Sequence, residues 1–161
     1  MKAPAWLLVL TASAGLAGCT SYAPPSLTVA EAAIVEESPS GLVIDFAIDA
    51  TNANAVELPL REVRYSLRLD GEEVFRGVRS PEATLRRLGT QRFTIPVAVR
   101  LDEANRPSGV VRYTLEGQLL YLTPGQLAEV LFDIRVRRPT VSFRQEGTVD
   151  LGERRAEVDG R

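Results

Sequence analysis

The sequence predicts an all-β chain, an antiparallel sandwich of about seven to eight strands with room for one short helix. Three observations carry this expectation. Apolar and polar residues alternate through most of the chain, the pattern of a strand with one buried and one solvated face. The alternating segments recur every ten residues or so and are joined by turn residues, as in two-sheet sandwiches. The chain has 161 residues, 45% hydrophobic and 25% charged, which suits one domain with its own core.

The first strand is expected over Leu27–Glu36, although its Ala-Glu-Ala-Ala stretch also suits a helical turn. Leu42, Ile44, Phe46, Ile48 and Ala50 alternate with Val43, Asp45, Ala47 and Asp49. That places Phe46 inside and Asp45 on the wet face of a second strand. Val63, Tyr65, Leu67 and Leu69 alternate with Arg64, Ser66 and Arg68, and the turn pair Asp70-Gly71 leads into a return strand over Glu73–Val78. Phe93, Ile95, Val97, Val99 and Leu101 define the next strand, where the internal Pro96 argues for an edge position or a bulge. Val111, Tyr113 and Leu115 continue the pattern. Val130, Phe132, Ile134 and Val136 alternate with Leu131, Asp133, Arg135 and Arg137 and predict another strand. Val141 with Phe143, and Val149 with Leu151, predict the arms of a last hairpin across Gln145-Glu146-Gly147. Asp102–Arg106 and Thr123–Glu129 are candidates for short helices, and the charged, aperiodic residues 152–161 for a flexible tail.

The N-terminus has the layout of a secretory signal: Lys2, then an apolar stretch from Trp6, then small residues, with no charge from Ala3 to Gly18. It ends in Leu16-Ala17-Gly18-Cys19, which resembles the lipobox of bacterial lipoproteins. That resemblance implies cleavage before Cys19, acylation of its thiol and amine, and attachment to a membrane. The organisation expected is a signal peptide over 1–18, a lipidated tether over 19–26, and a folded domain over 27–151. Thr20 stands where the enteric sorting rule would place an inner-membrane aspartate. In a Gram-negative organism the resemblance therefore implies the cell envelope, on the outer membrane and facing the periplasm.

Composition narrows the chemistry. The chain has no histidine, and Cys19 is its one cysteine. This excludes a disulfide within the chain, a cysteine metal cluster, and Ser–His or Cys–His catalysis. A formal charge of −2 and the absence of phosphate-loop or RNA-binding motifs argue against nucleic acid as a partner. Paired-carboxylate chemistry needs no histidine, and Asp45, Asp49, Asp102 and Glu103 are the candidates, with a solvated outer face as the preferred reading. Asp133 and Asp150 lack calcium-loop spacing. The pairs Arg86-Arg87, Arg137-Arg138 and Arg154-Arg155 suit either lipid headgroups or plain solvation. The expectation is a non-enzyme and a monomer, with no catalytic, cofactor-binding or metal-binding residue.

One longer resemblance organises these pieces. Phe46-Ala47-Ile48-Asp49-Ala50-Thr51-Asn52-Ala53-Asn54 leads into Val56-Glu57-Leu58-Pro59-Leu60, then Val63-Arg64-Tyr65-Ser66-Leu67, Asp70-Gly71, and Phe93 with Ile95-Pro96-Val97. Gly117 and Gly147-Thr148-Val149-Asp150-Leu151 follow. In order and spacing this resembles the late embryogenesis abundant type-2 family, also called the water-stress and hypersensitive-response (WHy) domain. The family's Asn-Pro-Asn loop is Asn52-Ala53-Asn54 here; the proline is gone, and the two asparagines with Pro59 remain. The resemblance implies a folded sandwich similar to immunoglobulin and fibronectin type III domains, a role in desiccation or other water stress, and no catalysis. For the asparagines, a turn-holding role is preferred over a binding loop. Two other readings stay open: a scaffold lipoprotein that binds an envelope protein, and a carrier of an apolar ligand between the sheets.

Overall fold

A computed structural model describes residues 22–101, 109–136 and 138–151. The signal segment, the lipobox residues Leu16, Ala17, Gly18 and Cys19, the candidate helix Asp102–Arg106 and the tail 152–161 lie outside the described residues. Eight strands and one helix follow in order: β1 (Ser26–Ser38), β2 (Gly41–Asn52), β3 (Leu58–Leu69), β4 (Glu72–Arg79), β5 (Thr84–Leu85), β6 (Gly89–Arg100), β7 (Val110–Tyr121), α1 (Gln126–Asp133) and β8 (Thr140–Asp150). All pairings are antiparallel. One sheet runs β1-β2-β6; the other runs β4-β3-β7-β8, with β5 also paired to β3. The expected sandwich is the observed fold.

Period-two alternation builds the interior. Ile44, Phe46 and Ile48 of β2 and Ile95 and Val97 of β6 are buried, as are Val63, Tyr65 and Leu67 of β3 and Leu115 and Leu119 of β7. These side chains form one continuous core. Phe46 meets Tyr113 edge to face across the sheets, with ring centroids 5.1 Å apart. The Tyr65 hydroxyl donates to the Pro96 carbonyl at 2.6 Å, tying β3 to β6. Burial raises the phenol pKa of Tyr65 and of Tyr113.

Local signals place the turns and edges well. Asp70 (φ 46°) and Gly71 (φ 91°) are both left-handed, between the paired residues Leu69 and Glu72. This is the two-residue loop whose twist suits a tight hairpin. Pro96 lies in β6, the outer strand of its sheet, where the missing N–H costs no ladder bond on the open side. β1 is strand throughout, with register shifts at Val29/Glu31 and Ile34/Glu36. Those shifts explain why its alternation is blurred.

Two expected elements are corrected. Residues 130–136 are not a strand: α1 covers Gln126–Asp133, and Arg135 follows at φ 62°. Of the four alternating apolar residues only Phe132 is buried, while Val130, Ile134 and Val136 are exposed. The good helix formers Gln126, Leu127, Ala128, Glu129 and Leu131 prevail over an alternation that faces no sheet. Residues 141–151 are not a hairpin either. Thr140–Asp150 form the single strand β8, paired along β7 from Val110 to Leu120, and Leu151 follows it in a turn.

The second correction has a packing cause. Gly147, read as a turn residue, lies opposite Tyr113, and Gly117 lies opposite Phe143. In each pair the ring occupies the place a side chain would take. A Cβ on Gly147 would stand 2.6 Å from the Tyr113 Oη, and one on Gly117 would stand 2.5 Å from the Arg64 carbonyl and 2.6 Å from Phe143 Cζ. Gly117 is the less forgiving position, because one of its neighbours is backbone. Gly117→Ala is therefore expected to destabilise the domain by about 1–3 kcal/mol, the usual cost of overpacking. Urea denaturation checks this, and an unchanged midpoint would mean that β3 and β7 can part without cost.

Candidate functional site

The asparagines of the loop after β2 sit at one end of the sandwich, where β1, β3 and β6 begin and β2 ends. Asn52 is fully buried. Its side-chain amide donates to the Val56 carbonyl at 2.7 Å and the Arg86 carbonyl at 3.1 Å. Its Oδ1 accepts from the Asn54 backbone N–H at 2.9 Å and from Asn54 Nδ2 at 2.8 Å. One side chain thus closes its own loop and joins it to the segment after β5. A buried amide has to be satisfied in this way, or it costs stability.

Asn54 faces outward and holds a different partner. Its Oδ1 accepts from the Ala23 N–H and its Nδ2 donates to the Ala23 carbonyl, both at 2.9 Å. Its own carbonyl accepts from the Leu88 N–H at 2.9 Å. The segment before β1 is therefore clamped to the domain three residues ahead of the first strand. Pro59 lies in β3 opposite Thr84 of β5, and its carbonyl accepts from Leu122 N–H at 2.9 Å. The two asparagines and Pro59 are brought to one end of the fold, where their contacts within the described residues are structural.

Neither the clamp on Ala23 nor the part played by the Arg86 carbonyl was visible in the sequence. The hydrogen bonds join residues 31 and 34 positions apart, and backbone acceptors leave no mark on residue type. The one usable signal was Leu85, an isolated apolar residue between polar ones. It is fully buried and forms part of β5.

The charged candidates are dispersed. Asp45 and Asp49 share the outer face of β2, as expected. Arg92 grips Asp49 with two hydrogen bonds of 2.7 and 2.9 Å, and these hold its carboxyl below the usual carboxylate range. Asp102 and Glu103 lie outside the described residues. The outer face of the larger sheet carries an open concavity of about 740 Å³ bordered by Arg64, Arg76 and Arg144. Each arginine there is matched by an acid: Arg64 by Glu62 at 2.7 Å, Arg76 by Glu73 at 2.8 Å, and Arg144 by Glu116 at 2.6 Å. Exposed pairs of this kind contribute little stability, and they keep the face hydrated. Among the described residues, no cluster of three or more acids, cysteines or histidines could hold a metal ion, and no helix is long and apolar enough to cross a membrane.

Comparison with known proteins adds to this geometry. A family model described as "Late embryogenesis abundant protein" matches residues 47–156. A search of curated proteins returns no match. The solution structure of a protein from Arabidopsis thaliana is similar to this chain with a TM-score of 0.63 at 16% identity, over 84% of this chain and 87% of that one. The solution structure of a provisionally assigned late embryogenesis abundant (LEA) protein has a TM-score of 0.60 at 17% identity, over 80% of this chain and 72% of that one. A crystal structure of a protein from Archaeoglobus fulgidus has a TM-score of 0.50 at 10% identity, over 83% of this chain and 99% of that one. At such identities the likeness is one of fold.

Proposed function

The chain belongs to the late embryogenesis abundant protein family, and from that membership we propose that it is a non-enzymatic, lipid-anchored envelope protein of the water-stress (WHy) type, acting in the response to desiccation. The observation that carries this reading is the family match over residues 47–156, which spans β3 to β8. The N-terminal sequence supports the anchor: the lipobox cysteine, Cys19, stands four residues before Ala23, the residue that the family's own loop clamps.

The physical character of the domain fits a protectant that works folded. Its core is filled by side chains from both sheets, which gives the apolar-carrier alternative no observation in its favour. Its outer faces are laced with arginine–carboxylate pairs that keep the surface polar. Held at a membrane by acyl chains, such a domain acts as a hydrated spacer that resists close approach of neighbouring surfaces as water is lost. The scaffold alternative keeps the same anchor and differs in having a defined protein partner.

The test compares survival of a deletion strain through drying and osmotic upshift with strains carrying the wild-type chain or Cys19→Ala. A survival defect rescued only by the wild type is the expected result. No defect in the deletion strain overturns the stress role, and crosslinking to one envelope protein would then favour the scaffold. Full rescue by Cys19→Ala overturns the need for an anchor.

A further inference from the structure

Most of the large apolar side chains that the fold leaves in solvent are gathered at one end. Of seven large exposed ones among the described residues, Leu88, Val130, Ile134 and Val136 lie at the end that holds the Asn52–Asn54 loop, whereas Val35 and Val110 lie toward the opposite end and Val78 lies along β4 between them. The placement follows from topology. β2 and β5 end there, β3 and β6 begin there, and α1 bridges the close of β7 and the start of β8 at the same end. Leu88 is 71% exposed at a left-handed φ of 48°, on a loop whose flanking Arg86 and Arg87 are also exposed. Val130 and Ile134 are four residues apart, on one side of the helical turn.

The chain's own course says what meets this end. Asn54 bonds Ala23 and Leu88 together, so the segment that leads back to Cys19 departs beside the apolar loop. From Cys19 to Ala23 the chain spans at most about 14 Å. The free reach is thus shorter than the whole 19–26 tether, because its last part is bound to the domain. The strands are 12 residues long, roughly 40 Å, so a domain standing on this end keeps its far end well away from whatever holds Cys19.

We propose that this end is a membrane-contact face. Leu88 and the Val130, Ile134 and Val136 side chains rest in the interfacial layer of the bilayer that holds the anchor, with Arg86 and Arg87 at the level of the lipid phosphates. This proposal rests on the lipid-anchor reading of Cys19. Among the described residues, the exposed arginines at or near this end, Arg61, Arg86, Arg87, Arg135 and Arg138, are largely offset by the exposed acids Glu57, Glu82, Glu129 and Asp133. Contact therefore depends on apolar insertion and on the short leash rather than on a strongly anionic membrane.

The mature chain contains no tryptophan, since the single Trp6 precedes Cys19. Leu88→Trp, Ile134→Trp and, at the far end, Val110→Trp each install one fluorescent reporter. The mature, acylated protein is reconstituted into phosphatidylethanolamine–phosphatidylglycerol vesicles containing a brominated phosphatidylcholine. Emission from positions 88 and 134 is expected to fall about twofold, as for a ring roughly 5–10 Å into the interface, while position 110 is unaffected. Hydrogen exchange on the unsubstituted protein gives a second readout, slower in residues 86–89 on vesicles than in detergent. Protein that floats with the vesicles, yet shows no quenching at 88 and 134 and no change in exchange, overturns the contact face and leaves the anchor standing. Equal quenching at 110 also overturns it. A mass spectrum showing an unmodified Cys19, with protein that does not float, overturns the anchor reading and this proposal with it.

Discussion

Phe46→Asp is expected to leave the domain unfolded, whereas Asp45→Ala, one residue earlier, leaves it folded. Phe46 is fully buried in the middle of β2 and packs edge-on against Tyr113 of the facing sheet. Removing a buried phenylalanine ring costs about 3–5 kcal/mol, and placing a carboxylate in the same apolar space adds several more. A domain of this size has about 5–15 kcal/mol in total. The substitution thus removes most or all of its stability. Asp45 faces the other way on the same strand and is half-buried on the outer face. Its truncation removes no core contact, and about 1 kcal/mol is the largest loss expected. Far-UV circular dichroism and urea titration of both variants check the pair. A folded Phe46→Asp beside an unfolded Asp45→Ala would mean that β2 is turned over.

The same contrast shows where sequence reasoning succeeds. β2, β3, β6 and β7 could be read because each has a filled inner face and a wet outer face, and burial against the facing sheet enforces period two. The hairpin at Asp70-Gly71 could be read because left-handed backbone needs particular residues. Reading failed where a distant partner decides the outcome. Val130 to Val136 alternate without any sheet to face, so helix propensity prevails. Gly147 resembles a turn until Tyr113 is seen to fill the space above it. β5 is two residues long, too short for any period to show.

The candidate site divides along the same line. Asn52, Asn54 and Pro59 were recognised through a family resemblance, and the preference for a turn-holding role rested on what asparagine side chains do locally. The Asn52 contacts to Val56 and Asn54 are of that local kind. The bonds from Asn54 to Ala23 and Leu88 are not. They depend on two segments being brought together by β1 and β6, and they alone show that the chain is bound to the domain as early as Ala23. The lipobox resemblance belongs to the sequence alone; the place where the segment after it joins the domain required the fold.

Asn52→Asp is expected to produce a stability loss that grows with pH. The change is nearly isosteric, but it replaces the donor at Nδ2 by an oxygen. That oxygen would face the Val56 and Arg86 carbonyls at 2.7 and 3.1 Å, acceptor against acceptor. The other oxygen still accepts from Asn54. Losing two hydrogen bonds while burying an unpaired charge costs about 3–5 kcal/mol at neutral pH. Protonation relieves part of this, because the acid can again donate to one carbonyl. The folded state therefore holds its proton more tightly than the unfolded chain, whose aspartate titrates near about 3.9. With more protons bound in the folded state, stability falls as pH rises from the unfolded value through the raised native one. Urea midpoints at about pH 4 and pH 7 are expected to lie moderately below the wild type at the lower pH and far below it at the higher. Asn52→Leu, which cannot ionise, serves as the control with a pH-independent deficit. If the aspartate variant also shows a constant deficit, its carboxylate reaches water, and the loop that clamps the tether is looser than its hydrogen bonds imply.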